Sequence, residues 1–258
     1  MSTSDATAYP VRYTTQTAEP PHRVHTEPGF EWDGQDAYLF DIDGTLLRSR
    51  DRVHYDSFFE CVREVMGHEL DLSGVTLHGN TDPGILRDAF LRTSIEDSHW
   101  RASLEGVLER MRNTVTARRD RMELVRMPAV EETLEHLTAK GAKLGVATGN
   151  LEAIGWVKVE TAGLRRWFEF GGFSDLYLDR ADMIAHAAEM ARGLAGPGAS
   201  VCVVGDTESD IAAARANGLP TIAVATGRPS FDQLMGMKPE ACATSLWALL
   251  NHTAGAPV

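Results

Sequence analysis

Asp41 and Asp43 stand one residue apart where the apolar run Tyr38, Leu39, Phe40 and Ile42 stops, and Gly44 then lets the chain turn sharply. Side chains at alternate strand positions point to the same side, so these two carboxylates repel unless a cation or a proton intervenes. Thr148-Gly149-Asn150 closes a second apolar run, KLGVA, while Asp206 closes a third, SVCVVG, with Asp210 one helical turn beyond it. A hydroxyl and backbone N–H groups at a helix start are suited to holding a phosphate. Four carboxylates converging on one edge would need a hard divalent cation with oxygen ligands, and magnesium suits carboxylates combined with a substrate phosphate. A carboxylate can then attack phosphorus and form an aspartyl-phosphate, which splits a difficult displacement into two easier ones. The metal and a neighbouring cationic side chain would neutralise the transferring oxygens.

Such a convergence requires a parallel sheet, and the pattern of the chain predicts one. Short apolar runs at residues 38–42, 143–147, 168–173, 201–204 and 221–226 read as strands, and a last short strand and helix lie within 241–250. Between the later runs fall helices: one starting at Pro128 and ended by Gly141, one that Asn150 can cap, one over 181–192, and one from Thr207 to Ala216. This alternation implies an α/β fold, a doubly wound and mostly parallel Rossmann-like sheet with its site at the carboxyl ends of the strands.

Residues 48–126 break the alternation. They read as helical without a strand: Phe58, Phe59, Val62, Val65 and Met66 share one face up to Gly67, and Trp100, Leu104, Val107, Leu108, Met111 and Val115 share another. Between them Asp82-Pro83 opens a third helix, with Asp82 as its cap. The expected organisation is therefore a mobile arm over residues 1–35, rich in Thr, Pro, Ala and Glu, an α/β core over 36–47 and 127–258, and a separate helical cap domain over 48–126.

Composition narrows the partners. The 258 residues are 43% apolar and 24% charged, as in an ordinary soluble globule, and 25 Lys+Arg against 37 Asp+Glu leave a net charge of −12. That sign disfavours nucleic acid and anionic membranes. Cys61, Cys202 and Cys242 are odd in number and lack C-x-x-C spacing, so buried free thiols in a reducing cytoplasm are expected. No apolar run approaches a membrane span, and the first 36 residues lack the apolar segment of a signal peptide. The sequence specifies no oligomeric state.

DIDGTLL, from Asp41 to Leu47, resembles the first motif of the haloacid dehalogenase superfamily, and the helical insertion stands where that superfamily carries its cap. HGNTDPGIL, from His78 to Leu86, resembles the substrate-facing cap loop of phosphoglycolate-phosphatase-like members, and GDTESD, from Gly205 to Asp210, resembles the fourth motif. The resemblance implies that Asp41 is the nucleophile and a metal ligand. Asp43 would protonate the leaving group and later activate water, while its backbone carbonyl meets the metal. Thr148, with Gly149 and Asn150, would bind the phosphoryl group; Asp206 and Asp210 would complete the metal site, and Thr81 would touch substrate. The third motif usually supplies a lysine before a proline. This chain reads LYLDRADMI there, so Arg180 is the best match by position and Lys158 the other candidate. The implied activity is a magnesium-dependent phosphatase acting on a small phosphorylated metabolite through an aspartyl-phosphate. A phosphomutase of the same superfamily, or a non-catalytic phosphate-binding or sensing protein, is the alternative. A halide leaves without a proton, so Asp43 speaks against a dehalogenase. His54, His78, His99, His136 and His186 have no acid or cysteine at telling spacing and receive no role.

Overall fold

In chain order the strands are β1 (Val24–Thr26), β2 (Ala37–Phe40), β3 (Leu47–Ser49), β4 (Leu124–Arg126), β5 (Lys143–Ala147), β6 (Phe170–Gly172), β7 (Val201–Gly205), β8 (Thr221–Val224) and β9 (Ala241–Ala243). The helices are α1 (Val53–Met66), α2 (Asp82–Phe90), α3 (Asp97–Ala117), α4 (Val130–Ala139), α5 (Glu152–Thr161), α6 (Arg180–Ala195), α7 (Glu208–Ala216), α8 (Phe231–Gly236) and α9 (Leu246–Ala254). This structure, a computed structural model, describes residues 22–254.

Every residue of β2 is buried, as a middle strand of a parallel sheet covered on both faces requires. The seven-stranded sheet runs β1-β9-β8-β7-β2-β5-β6, all parallel except β1 against β9, which bears out the doubly wound, mostly parallel expectation. From β2 the chain reaches β5 and β6 on one side, then crosses back to β7 and moves outward through β8 to β9. The reversal leaves the carboxyl end of β2 at the switch point, where ligands of such sheets bind. Alternation along β2 feeds two cores: Tyr38 and Phe40 pack with Leu134 and Leu137 of α4, and Leu39 packs with Met183, Ile184 and Ala187 of α6.

The insertion departs from its expected form in three ways. Leu47–Ser49 and Leu124–Arg126 pair antiparallel and clasp its two ends, although no strand was expected there. Three residues are too few to show a period, and the pairing follows from the two chain crossings lying side by side. Thr81, not Asp82, caps α2: its hydroxyl oxygen accepts the Gly84 N–H at 3.0 Å, with Pro83 in the first turn. The apolar interior of the insertion, built on Phe58, Val62, Leu86, Phe90, Trp100 and Met111, also runs into Leu151, just before α5, and into Ile154 and Val157 of α5. Helix α5 thus packs against the insertion as well as belonging to the α/β core.

The arm expected over residues 1–35 needs correction too. Residues 1–21 lie outside the described residues, but from Val24 the chain is held: β1 adds an antiparallel edge to β9, and Trp32 and Asp33 are buried. The Tyr38 hydroxyl donates to the Trp32 carbonyl at 2.9 Å. A three-residue strand reading Val-His-Thr shows no apolar alternation, so its role emerges only from the edge it completes. No helix among the described residues is long and apolar enough to cross a membrane, and the three cysteines are buried and free.

Candidate active site

Phe40 is level with Val146 of β5 on one side and Val204 of β7 on the other, so Asp41 leaves the sheet between the ends of both neighbours. Thr148 and Asp206 lie just past those ends, which brings three distant segments to one edge. Asp41, Asp206 and Asp210 each present a carboxylate oxygen within 4.8 Å of the others, and all three are buried. Arg180, at the start of α6, reaches into this cluster: its Nη2 donates to Asp41 Oδ1 at 2.7 Å and to Asp210 Oδ1 at 2.5 Å.

The three acids are not equivalent. Asp210 Oδ2 accepts from the backbone N–H and the hydroxyl of Thr207, at 3.0 and 2.6 Å, in the capping box that T-x-x-D predicts. With its other oxygen on Arg180, Asp210 is occupied by protein donors. Asp206 receives one side-chain bond, from the Thr45 hydroxyl at 3.1 Å. Gly44, at φ +96°, and Gly227 both lie where a Cβ would collide with the Asp206 carboxylate, so glycine at each leaves room for that group.

One guanidinium does not balance three buried carboxylates. Burial pushes Asp41 up to about 7, against the pull of Arg180 and with the added repulsion of Asp210. Burial, reinforced by the charges of Asp41 and Asp210, raises Asp206 well above the usual carboxylate range. Groups that would otherwise hold protons at neutral pH, offering only oxygen donors, suit a hard divalent cation.

Asp43 faces a different environment. Its Oδ2 accepts from Lys158 Nζ at 2.6 Å and from Asn150 Nδ2 at 2.9 Å, so its side chain lies outside the acidic cluster. Partial desolvation by the surrounding protein works to raise its pKa, but the Lys158 charge and the hydrogen bonds from Lys158 and Asn150 outweigh this and hold it below the usual range. Asn150 also donates to Thr148 Oγ1 at 2.6 Å and accepts from Lys158 at 2.8 Å. Both cationic candidates therefore reach the site: Arg180 serves Asp41 and Asp210, and Lys158 serves Asp43.

Asn150 does not cap α5, as the sequence had suggested. The N–H groups of Leu151 and Glu152 are taken by Asp82 Oδ2 at 3.0 Å and Asp175 Oδ2 at 2.6 Å, carboxylates from remote segments. Thr81 and Lys158, the cap-loop residue and the second cationic candidate, are both held by protein partners in this conformation. The Thr81 hydroxyl donates to the Leu178 carbonyl at 2.7 Å and accepts from Gly84, which ties the insertion to the segment before α6. Lys158 has three acceptors for its three protons, the last being His54 Nδ1 at 3.2 Å. His54 and its partner Asp82 thus join the site although sequence reasoning gave His54 no role. Their positions and that of Lys158 lie on three helices, so no spacing signals their meeting.

Gly149 is where the loop leading into α2 seats. Its carbonyl accepts the Asp82 N–H at 2.7 Å and the Ser174 hydroxyl at 2.8 Å, and a Cβ there would collide with the Asn80 carbonyl. Gly149→Ala should therefore destabilise the protein by about 1–3 kcal/mol, since backbone on the opposing side cannot swing away. Chemical denaturation of the two proteins checks this, and an unchanged midpoint would show that the loop is not seated there.

Comparison with known proteins identifies the relatives of this chain. The family model for haloacid dehalogenase-like hydrolases matches residues 38–224. The chain is 28% identical over 214 residues, 78% of its length and 86% of the relative's, to the probable phosphatase IndB of Dickeya dadantii. It is 31% identical to the phosphoglycolate phosphatase of Mesorhizobium japonicum over 100 residues, 39% of this chain and 44% of that one. Among solved structures, a predicted phosphatase from Clostridium acetobutylicum superposes with a TM-score of 0.62 at 22% identity, covering 85% of this chain and 98% of the other. CbbY from Rhodobacter sphaeroides, solved with xylulose-(1,5)bisphosphate, superposes with a TM-score of 0.61 at 18% identity over 82% of this chain and 94% of its own. These two likenesses are of fold.

Proposed function

The chain belongs to the haloacid dehalogenase-like hydrolase family, and we propose that it is a magnesium-dependent phosphatase that hydrolyses a small phosphorylated metabolite through an aspartyl-phosphate. The observation that carries this reading is the divergence of two acids one residue apart. Asp41 joins the acidic cluster and Arg180, whereas Asp43 turns to Lys158 and Asn150, with a side chain 40% exposed. Two carboxyls with opposed surroundings are suited to two roles. The relatives named phosphatases support the same class of reaction.

In this mechanism Asp41 attacks phosphorus as the ester P–O bond breaks, and Asp43, ionised beside Lys158 until it takes a proton from the incoming monoprotonated phosphate ester, gives that proton to the departing oxygen. Asp43, ionised again, then takes a proton from the water that attacks the aspartyl-phosphate, releasing phosphate and freeing Asp41. Its depressed pKa favours the ionised form that this second half needs. Arg180 holds Asp41 in line and supplies fixed positive charge beside the transferring oxygens. Thr148 and the turn at Gly149 and Asn150 bound the pocket for the phosphoryl group. Asp41, Asp206 and the backbone carbonyl of Asp43 would hold magnesium, with Asp210 supporting through Arg180; when bound, the ion offsets the negative charge of carboxylates and phosphoryl oxygens. Residues 48–126 act as the cap that covers this edge, and the three reduced cysteines suit a cytoplasmic setting.

The test is phosphate release from a panel of phosphorylated metabolites and an aryl phosphate in the presence of magnesium. Release from at least one small ester is expected. Isomerised product without free phosphate would replace this reading with a phosphomutase, and binding without turnover would replace it with a sensor.

A further inference from the structure

We infer that His54 and Asp82, both on the cap, position Lys158 and through it Asp43, so that the acid–base carboxyl is aligned only while the cap is seated on α5. The inference rests on the phosphatase reading above. His54 Nε2 lies 3.1 Å from Asp82 Oδ2, and His54 Nδ1 lies 3.2 Å from Lys158 Nζ. A carboxylate only accepts, so Nε2 carries the hydrogen; an ammonium only donates, so Nδ1 is bare. The two partners together select one neutral tautomer of the ring. The ring is further steadied by Phe58, one turn along α1, with centroids 5.4 Å apart.

The consequence falls on Lys158, whose side chain is 3% exposed. Its three N–H bonds point to His54, Asn150 and Asp43, and only this threefold arrangement aims the shortest of them, at 2.6 Å, toward Asp43. Removing His54 leaves a buried ammonium short of one acceptor, which it can regain only by turning away from its present direction. Asp82 anchors the series from the other end. Its Oδ2 takes both the His54 ring and the Leu151 N–H, and its own N–H donates to the Gly149 carbonyl at 2.7 Å. Cap helices α1 and α2 thus reach Asp43 through one lysine on the helix they share with the core. His54 and Asp82 are positioning residues here, because neither touches the reacting atoms.

Leaving-group dependence separates positioning of an acid from general damage. A nitrophenolate departs without a proton, whereas an alkoxide needs one. On full-length protein, His54→Ala and Asp82→Ala should lower kcat for an alkyl phosphate by about tenfold more than for p-nitrophenyl phosphate, with KM changed by less than about twofold. Asp82→Asn should recover most of the alkyl phosphate turnover, since an amide oxygen at the Oδ2 position can accept both bonds. The double variant should lose no more than the worse single one. Equal losses on both esters, or a rise in KM at constant kcat, would overturn the inference. Should the wild type release phosphate from neither ester, the phosphatase reading fails, and the network is then judged by nitrogen-15 spectra of the histidine rings. A signal lost in His54→Ala that reports protonated Nε2 and bare Nδ1, and that moves in Lys158→Met, supports it. A ring protonated at Nδ1 overturns it.

Discussion

Asp41→Asn should abolish phosphate release, by about 10⁴-fold or more, the scale of loss when a covalent nucleophile is removed. An amide in place of the carboxylate cannot form the acyl phosphate, and no other carboxylate stands at the end of β2 with the same aim. Asp43 turns to Lys158, and Asp210 is held by Thr207 and Arg180. The fold should survive, because the amide oxygen can still accept from Arg180 Nη2 while Asp210 retains its share of that guanidinium. Loss of activity with an unchanged or raised melting temperature, together with the absence of a trappable phosphoryl-protein adduct, is the expected pair of results. Retained turnover would remove Asp41 from its role.

The second large effect is on stability and depends on pH and magnesium together. In protein freed of divalent ions, burial raises Asp41 to about 7 and Asp206 in the same direction, whereas an unfolded aspartate titrates near roughly 3.9. Between about pH 4 and 7 the folded protein therefore holds a proton on Asp41 that the unfolded chain has released, so Asp41 makes stability fall as pH rises and level off above about 7, and Asp206 acts in the same direction. Asp43 has the opposite sign, but Lys158 holds it low, so its contribution is complete before this window opens. Asp206→Asn removes one repelling charge and relieves Asp41. In chelator the variant should melt above wild type, with a gap that widens as pH rises from about 4. Magnesium should reverse the order. At about 100 times its dissociation constant it adds roughly 2.7 kcal/mol to the wild type, or about 5–10 °C for a protein of this size. Thermal melts of both proteins with and without magnesium check this, and a gap independent of pH and metal would mean that the cluster holds no cation.

Much of the site was legible because it depends on local chain geometry. A residue that directly follows a buried parallel strand is delivered to one edge by the strand itself, and so Asp41, Thr148 and Asp206 could be placed together before any coordinates. The Thr207–Asp210 capping box spans a single helical turn and was equally readable. The apolar faces of α1 and α3 likewise announced a helical insertion. Short β1, β3 and β4 escaped because each breaks its three residues with a polar or charged side chain and so shows no apolar run, and their pairing is set by what lies beside them.

What the sequence by itself determined, then, is the sheet, the insertion, and the set of acids at the strand ends. Tertiary structure alone decided which cation serves which acid: Arg180 went to Asp41 and Asp210, Lys158 to Asp43, and the helix start at Leu151 took its cap from Asp82. The reason lies in the cost of leaving a charge or a polar group buried without a partner. That cost is met by whichever complementary atom packing brings within about 3 Å, and separation along the chain does not enter it.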